Sequence, residues 1–421
     1  MKEEWDGVDE WRGEWDESGS RYGLSFTSFS DHRDGTEAEC RVWIQPEGIA
    51  ERVILSHSLV KLLGPNVKRD LVRSLAEKSG KYPWATVIEI ACQRALGSWR
   101  EGKPAVDLAD VMVTSQKWII EGFMPDRVTS SIFSDGASGK SYIMTACAVA
   151  IASGIPIGPF VPLIQGNVLI INAETDEHEY AERVARICDG AGIAIPRGLV
   201  HQEQLRPLVQ SVRAITAQVK EVQPVFGIID SAGALAHGSL NNDDVAIPMT
   251  NALRQSFGPI GRCLITHTSK ASAAQENGHG TAVGSAFFRN YVRSQWEARR
   301  ETDGNPTTFS VALIHIKSNR GAKQPDFTTN FDFDDPNGPV TLYRGRITDN
   351  SDLARYASKP AHITAVLLKS GALTLTDLAS ETGMSESTLR RSMREMTNII
   401  AFPISDGRGG RGLQTTYGVR S

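Results

Sequence analysis

One eight-residue stretch constrains this chain more than any other, Ser-Asp-Gly-Ala-Ser-Gly-Lys-Ser at residues 134–141. Residues 128–133 (VTSSIF) have the composition of a buried strand, and residues 142–152 (YIMTACAVAIA) have the length and apolar character of a helix. A strand, a Gly/Ser-rich turn and a helix in this order form a phosphate-binding loop, because main-chain N–H groups and the helix dipole both favour an anion there. The alternative is an ordinary surface turn.

The loop pattern predicts how a polyphosphate would be held. Lys140 is expected to reach the β- and γ-phosphates, and the Ser141 hydroxyl is expected to bind Mg²⁺. Ser134 stands where the pattern G-x-x-x-x-G-K-[ST] has its first glycine, so we expect some strain at the start of the loop. The predicted nucleotide-binding residues of the loop are Ser134, Asp135, Gly136, Ala137, Ser138, Gly139, Lys140, Ser141 and Tyr142.

Composition limits the class of protein. A chain of 421 residues is long enough for two to four domains. Its net charge of −4 means that any nucleic-acid binding must come from local basic patches. The five cysteines are scattered without a CxxC pair, which is typical of reduced core residues. We find neither a signal peptide nor a long apolar run, so we expect a cytoplasmic protein with no membrane partner.

The first part of the chain is predicted to contain two regions. Residues 1–33 are acidic and Gly/Ser-rich, which favours a disordered tail. That tail is either a solvated leader or a partner-binding segment anchored by its three tryptophans. Residues 34–105 contain a strand pattern (CRVWIQ) and two helical patterns, which predict a small N-terminal α/β domain ending in a linker.

Residues 106–350 follow an alternating strand and helix pattern. Continuous apolar strands are predicted at 167–172, 225–230 and 262–267, and helices lie between them. This alternation predicts an α/β fold with a mainly parallel, doubly wound sheet. Strand-like runs between 291 and 343 have no helices between them, so they predict an antiparallel extension of that sheet.

Three polar side chains lie at the ends of these predicted strands. Asp230 is placed to hold Mg²⁺, Glu174 to polarise an attacking water, and His267 to sense the terminal phosphate. The alternatives are structural: Asp230 would be a helix cap, and Glu174 would belong to the acidic first turn of a helix.

Residues 360–421 contain helical patterns, a Gly-Met-Ser turn, a helix with three arginines and a Gly-rich hairpin pattern. This order is typical of a winged helix-turn-helix domain that binds DNA. The alternative is a winged helix that contacts another protein.

Six segments taken in order resemble the RecA-like ring ATPases. They are SDGASGKS, VLIINAETD, FGIIDS, LITHTSK, VGSAFFRNYVRSQWE and IHIKSNRG, and the likeness covers about residues 110–350. Within that group they are similar to the RepA-type hexameric replicative helicases and related phage ATPases of the AAA type. The resemblance implies a RecA-like P-loop core that hydrolyses ATP with Mg²⁺.

The resemblance also implies roles for individual residues. Lys140 and Ser141 would contact phosphate and Mg²⁺, with Asp230 as the metal-anchoring acid, Glu174 as the catalytic glutamate and His267 as the sensor. Arg293 matches the position from which such proteins insert an arginine finger into the neighbouring subunit. Arg183 and Arg320 match positions near the nucleotide base.

The function predicted is an ATP-hydrolysing DNA motor, a hexameric replicative helicase of a phage or mobile element. Its expected partners are single-stranded DNA in the ring channel, duplex DNA through the winged helix, and further copies of the same chain. Residues 269–284 are predicted to be a mobile loop near the channel or an ordinary flexible loop. The alternative function is an ATP-switched DNA-binding or loader protein, or a recombination or repair ATPase without unwinding.

Overall fold

The chain divides into two compact units, residues 1–113 and 114–421. The computed structural model describes residues 1–5, 10–33, 35–79, 82–102, 105–112, 118–269, 281–302, 305, 307–319, 321–335, 337–354, 356, 359–405 and 413–420. No helix in these ranges is both long enough and apolar enough to cross a membrane. The predicted loop at 269–284 falls mostly outside them, at residues 270–280.

The first unit is a five-stranded antiparallel sheet with two helices. Its strands pair in chain order and are β1 (Lys2–Trp5), β2 (Glu10–Glu17), β3 (Ser20–His32), β4 (Gly35–Gln45) and β5 (Val53–Lys61). The helices α1 (Pro65–Ser79) and α2 (Trp84–Glu101) bury their apolar stripes in the same hydrophobic core as the sheet. Trp11, Phe26 and Trp84 are among the most deeply buried side chains of that core.

The prediction that residues 1–33 form a disordered tail was wrong, because these residues supply three strands of the sheet. In β2 the buried Trp11 lies between the more exposed Glu10 and Arg12, and its ring packs 5.9 Å from that of Phe26 on β3. Alternation places the charged residues on one face of the sheet and the aromatic residues on the other. Composition averaged over 33 residues conceals that alternation. The predicted domain of residues 34–105 is therefore part of a larger unit that includes residues 1–33.

The second unit contains a large mixed sheet and a short hairpin of β6 (Trp118–Ile120) and β7 (Met124–Pro125). The strands of the large sheet are β8 (Thr129–Ser134), β9 (Val168–Asn172), β10 (Leu199–Glu203), β11 (Phe226–Asp230), β12 (Gly261–His267), β13 (Ser294–Arg300), β14 (Thr308–Ser318), β15 (Phe327–Phe333) and β16 (Val340–Gly345). Their order is β10-β9-β11-β12-β8-β13-β14-β15-β16. The strands from β10 to β13 in this order are parallel, and β14, β15 and β16 extend the sheet antiparallel.

Helices cover both faces of the parallel part. They are α3 (Lys140–Ser153), α4 (Glu177–Ala191), α5 (Leu208–Val222), α6 (Ala232–Leu235), α7 (Asp243–Phe257) and α8 (Ala286–Tyr291). In β9, Val168 and Ile170 face the core that contains α3 and α4, whereas Leu169 and Ile171 face the core that contains α5 and α7. A strand buried on both faces needs a continuous apolar run, which is the pattern that predicted it.

The predicted α/β fold with a large, mostly parallel sheet is confirmed. The predicted antiparallel extension is present as β14, β15 and β16. The sequence pattern predicted neither β10 nor α5. β10 is an edge strand whose side chains are only half-buried, so it lacks the continuous apolar run of its neighbours.

The last part of the chain contains helices and a small sheet. Its elements are α9 (Ser351–Ala354), α10 (Lys359–Ser370), β17 (Leu373–Thr374), α11 (Leu375–Thr382), α12 (Glu386–Met393), β18 (Ile399–Ser405) and β19 (Leu413–Val419). Ile363, Leu378 and Leu389 join the three longer helices in one core. The strand order is β17-β19-β18, and the predicted tip of the hairpin at 406–412 lies outside the described residues. The interpretation of this part as a winged helix stays a prediction.

Candidate active site

The phosphate-binding loop lies between β8 and α3. Its last residue, Gly139, caps α3 with φ +86°, in the left-handed region that favours glycine. Ala137 also has a positive φ, +55°, whereas Ser134 does not. The strain predicted at Ser134 is therefore found at Ala137, because the start of the loop continues β8 in an extended conformation.

Lys140 is bound by oxygens of its own loop. Its ammonium donates to Ser134 Oγ at 2.5 Å and to the Asp135 carbonyl at 2.9 Å. Lys140 is only 6% exposed, and burial lowers its pKa, although the nearby charges of Asp230, Glu174 and Asp135 act in the opposite direction. Ser134 is also buried, and its hydroxyl bonds to that of Ser138. The serine that replaces the first glycine thus holds the lysine over the loop.

Asp230 ends β11 and is 3% exposed. Burial raises its pKa to about 6, while a hydrogen bond from Ser141 and the charges of Arg183 and Lys140 act to lower it. Its Oδ1 atom is buried and has no hydrogen-bond partner among the described residues. A buried carboxylate oxygen without a donor, next to the Ser141 hydroxyl, is the ligand environment that suits a divalent cation such as Mg²⁺.

Glu174 lies in the turn after β9, opposite His267 at the end of β12. Glu174 Oε1 is 3.9 Å from His267 Nε2, and both side chains are about half-exposed, at 41% and 52%. The turn is held by Asn172, a fully buried residue whose Oδ1 accepts from the N–H groups of Glu174 at 2.8 Å and Thr175 at 3.1 Å. The sequence prediction missed Asn172, although an Asn at the end of an apolar strand is a typical turn signal.

These side chains line a single cavity of about 400 Å³, a volume within the range of ligand pockets. Its walls are formed by Gly136, Ala137, Ser138, Gly139, Lys140, Ser141, Tyr142, Glu174, Asp230, Ile265, His267, Arg300, Phe309 and Phe333. Four of the predicted catalytic residues therefore meet in one place, which adjacent parallel strands make possible. β8, β9, β11 and β12 are neighbours in the sheet and all point their carboxyl ends at this cavity.

One wall of the cavity was not predicted from the sequence. The Arg300 guanidinium lies 3.6 Å from the centre of the Phe309 ring and donates to the Ala137 carbonyl at 3.2 Å. The rings of Phe309 and Phe333 are stacked 5.8 Å apart. Phe309 is only 6% exposed and has Arg300 over its ring, so the half-buried Phe333 is the ring of this wall that suits contact with a planar base. The two phenylalanines come from β14 and β15, and only the pairing of those strands brings them together.

The predicted base contacts are placed differently. Arg183, on α4, is 5.3 Å from the Tyr142 ring and pairs with Glu179 at 3.1 Å. It does not line the cavity, and its charge acts on Asp230. Arg320 lies outside the described residues.

Arg293 lies at the other end of the sheet from the phosphate loop. Its N–H donates to the carbonyl of Thr129, the first residue of β8, at 2.8 Å, whereas the loop follows the last residue, Ser134. At about 3.3 Å per residue the strand separates the two ends by roughly 16 Å. The exposed Arg293 side chain is therefore not part of the cavity of its own chain.

One family model matches the part of the sequence that forms most of this cavity. The sequence model of a family described as the AAA domain matches residues 102–273, which include the phosphate loop, Glu174, Asp230 and His267. These residues therefore resemble an AAA-type P-loop ATPase domain. Among solved structures, the chain is similar to the crystal structure of a KaiC-like protein from the hyperthermophilic archaeon Pyrococcus horikoshii OT3. That match has 13% sequence identity and a TM-score of 0.37, and it covers 53% of this chain and 93% of the archaeal chain. No curated protein matches the sequence.

A P-loop ATPase domain binds a nucleotide, usually together with Mg²⁺. The unpartnered Asp230 oxygen beside Ser141 fits that metal, and Lys140 and the loop N–H groups fit the phosphates.

Proposed function

We propose that this chain is an ATP-driven motor on DNA that works as a ring of identical subunits, namely a hexameric replicative helicase of a phage or mobile element. The observation that carries the proposal is the position of Arg293, exposed and about 16 Å from the phosphate loop of its own chain. The arginine that does line the cavity, Arg300, is held by Phe309 and Ala137. A second copy of the chain is the natural source of a mobile guanidinium for the terminal phosphate.

The polar groups of the phosphate loop and of the neighbouring strand ends each have a role in this proposal. The loop N–H groups and Lys140 bind the phosphates, and Ser141 and Asp230 hold Mg²⁺. When bound, Mg²⁺ neutralises charge on the phosphate oxygens. Glu174 orients and deprotonates the attacking water. His267 lies 3.9 Å from Glu174 and follows changes at that carboxylate, which makes it suitable as a sensor of the terminal phosphate.

Arg293 would complete the site of the neighbouring subunit. Arginine fingers contribute on the order of 10³-fold or more to the rate, so Arg293→Ala should lower ATP hydrolysis by about 10³-fold, to a small residual rate, and leave nucleotide binding near normal. Mixing Arg293→Ala with Lys140→Ala subunits is the decisive test. Each variant lacks what the other supplies, so some interfaces in the mixture are intact and ATPase activity should return. Absence of recovery in a mixture that assembles would refute the role in trans.

The C-terminal helices support DNA as the partner. On α12 the buried Leu389 anchors the helix, while Arg390, Arg391 and Arg394 are exposed on it. We interpret α11 and α12 as a helix-turn-helix and β18 and β19 as its wing. The double substitution Arg391→Ala with Arg394→Ala should weaken DNA binding. It should also reduce the slope of log affinity against log salt by about 0.9 per lost phosphate contact. An unchanged slope would assign this part to protein contacts.

A strand-displacement assay separates the motor from its alternative. ATP-dependent unwinding that is lost in Lys140→Ala supports the helicase. The winged-helix arrangement also favours a second candidate, an ATP-switched protein that binds a duplex site. Site-specific duplex binding without unwinding would support that candidate and refute the helicase. A third candidate, a recombination or repair ATPase, would hydrolyse ATP on single-stranded DNA without displacing a strand.

A further inference from the structure

Lys317, near the end of β14, holds the end of a short helix on the neighbouring segment. Its ammonium donates to the carbonyl of Arg289 at 2.7 Å and to that of Val292 at 2.8 Å, with the Asn290 carbonyl at 3.5 Å. These carbonyls lie at the C-terminal end of α8, where helix geometry leaves them without partners. The ammonium group has three N–H donors, and all three point at main-chain oxygens.

Lys317 holds the peptide group that joins Val292 to Arg293. The carbonyl of Val292 accepts from Lys317, and the N–H of the same peptide group, on Arg293, donates to the Thr129 carbonyl at 2.8 Å. The Arg293 carbonyl in turn accepts from the N–H of Asn319 at 2.8 Å. The main chain at Arg293 is thus fixed from both sides, while its side chain is exposed.

The charges at this position also favour an outward arginine. Burial, and then the charge of Arg293, lower the pKa of Lys317. Two cations this close repel each other, and only the Arg293 side chain is free to move away from the main chain. This repulsion favours a guanidinium that extends away from the Lys317 ammonium.

We infer that Lys317 is a positioning residue for Arg293: it fixes the peptide group from which Arg293 extends toward the neighbouring subunit. The inference rests on the proposed role of Arg293 in trans. A lysine already bound to three main-chain oxygens supports the arginine and is not itself a phosphate ligand. Misplacing a catalytic group by about 1 Å can cost on the order of 10²-fold in rate, so loss of this support should be visible in turnover.

The test uses the full-length chain with Lys317→Met, which keeps the length of the side chain and removes its charge. We expect kcat for ATP to fall by about 10- to 100-fold, with the affinity for a non-hydrolysable ATP analogue unchanged. Lys317→Arg, which keeps a cation with several donors, should restore most of the activity. Lys317→Gln, which keeps a donor for Val292, makes the same comparison if the Met variant does not fold.

Subunit mixing shows on which side of the interface Lys317 acts. Lys317→Met subunits mixed with Lys140→Ala subunits should recover activity, because the latter supply a well-placed Arg293 to an intact phosphate loop. Mixing Lys317→Met with Arg293→Ala should give no recovery, since both variants are defective in the same function. Lys78→Met is the matched control, because Lys78 also donates to a main-chain carbonyl, that of Leu55 at 2.7 Å, in the first unit. It should keep full ATPase activity.

Three results would overturn the inference. The first is that Lys317→Met has the same kcat as the natural protein. The second is that mixing Lys317→Met with Lys140→Ala subunits does not restore ATPase activity. The third is that the double variant Lys317→Met with Arg293→Ala is much slower than Arg293→Ala alone. The last would show that the two residues act independently. If Arg293→Ala mixed with Lys140→Ala recovers activity but Lys317→Met does not, the inference fails and the proposed function stands. If neither mixture recovers, the role of Arg293 in trans fails as well.

Discussion

The buried carboxylate of Asp230 is expected to cost the folded protein stability, and Asp230→Asn measures that cost. Burial raises the pKa of Asp230 to about 6 from an ordinary value of 3.8. Between these two pH values the folded protein binds a proton that the unfolded chain has released, so the free energy of unfolding falls as the pH rises through this window. One pKa unit corresponds to about 1.36 kcal/mol, so the cost is about 3 kcal/mol at pH 7 and close to zero below pH 4.

The pKa of about 6 already includes the effects of neighbouring charges, so about 3 kcal/mol is the upper end of the gain. Asparagine removes the repulsion between Asp230 and Glu174, but it also removes the attraction of Asp230 for Lys140 and Arg183. We therefore expect Asp230→Asn to be more stable than the natural protein by about 1–3 kcal/mol at pH 7, a rise in melting temperature of about 2–6 °C. At pH 4 the two proteins should melt together.

The assay is calorimetry of both proteins in EDTA, without nucleotide, from pH 4 to pH 7.5. Adding Mg²⁺ and an ATP analogue should reverse the order, because ligand binding stabilises only the protein that retains the metal-binding carboxylate. ATPase activity should be lost in the variant. Melting curves that shift in parallel across the whole pH range, or a less stable variant at pH 7, would refute the reasoning.

Three further substitutions test the packing and the cavity. Gly190→Ala would place a Cβ atom against the Val340 carbonyl oxygen, at a distance where real Cβ atoms are not found. Because the main chain of α4 or β16 would have to move, we expect the free energy of unfolding in urea to fall by about 2–3 kcal/mol. Phe333→Leu should weaken ATP binding by about 10-fold and leave tripolyphosphate binding unchanged in competition titrations, because stacking on a base contributes about 1–3 kcal/mol. Equal effects on both ligands would exclude a base contact. Ser134→Ala should raise ATP affinity by about 5-fold in calorimetric titration, because Lys140 no longer has to leave a hydrogen bond worth about 1 kcal/mol.

The catalytic end of the sheet could be predicted because its signals are local. Asp230, Glu174 and His267 each stand at the end of an apolar run, and such runs in alternation with helices predict parallel strands. Parallel strands bring their carboxyl ends to one edge, so a linear pattern is enough to predict that these residues meet. Lys140 needs only the turn and helix that follow β8.

The aromatic wall could not be predicted in this way. Phe309 and Phe333 reach the cavity because β14 and β15 pair in one register, and a shift of one residue would turn the side chains to the other face. That register depends on contacts distant in sequence. Ser134 shows a different limit: a motif specifies the residue type at a position, but the conformation there depends on how β8 continues into the loop.

The first 33 residues show that composition and pattern can disagree. Their acidic content alone favours disorder, yet Trp11 and Phe26 are buried because they alternate with polar or charged neighbours along β2 and β3. Period-two alternation is the stronger signal in such a segment, since one face of an antiparallel sheet can remain in water.

One strand, β13, has an arginine at each end. Arg293 immediately precedes it, and Arg300, its last residue, lines the cavity of its own chain. In a ring, the same rigid strand would connect the nucleotide of one subunit to the nucleotide of the next. Binding at one site would thereby be communicated to its neighbour along the seven residues that separate Arg293 from Arg300. Such a direct connection makes sequential firing around the ring the expected mode, and we expect a Hill coefficient for nucleotide binding that is above one and falls to one in Arg293→Ala.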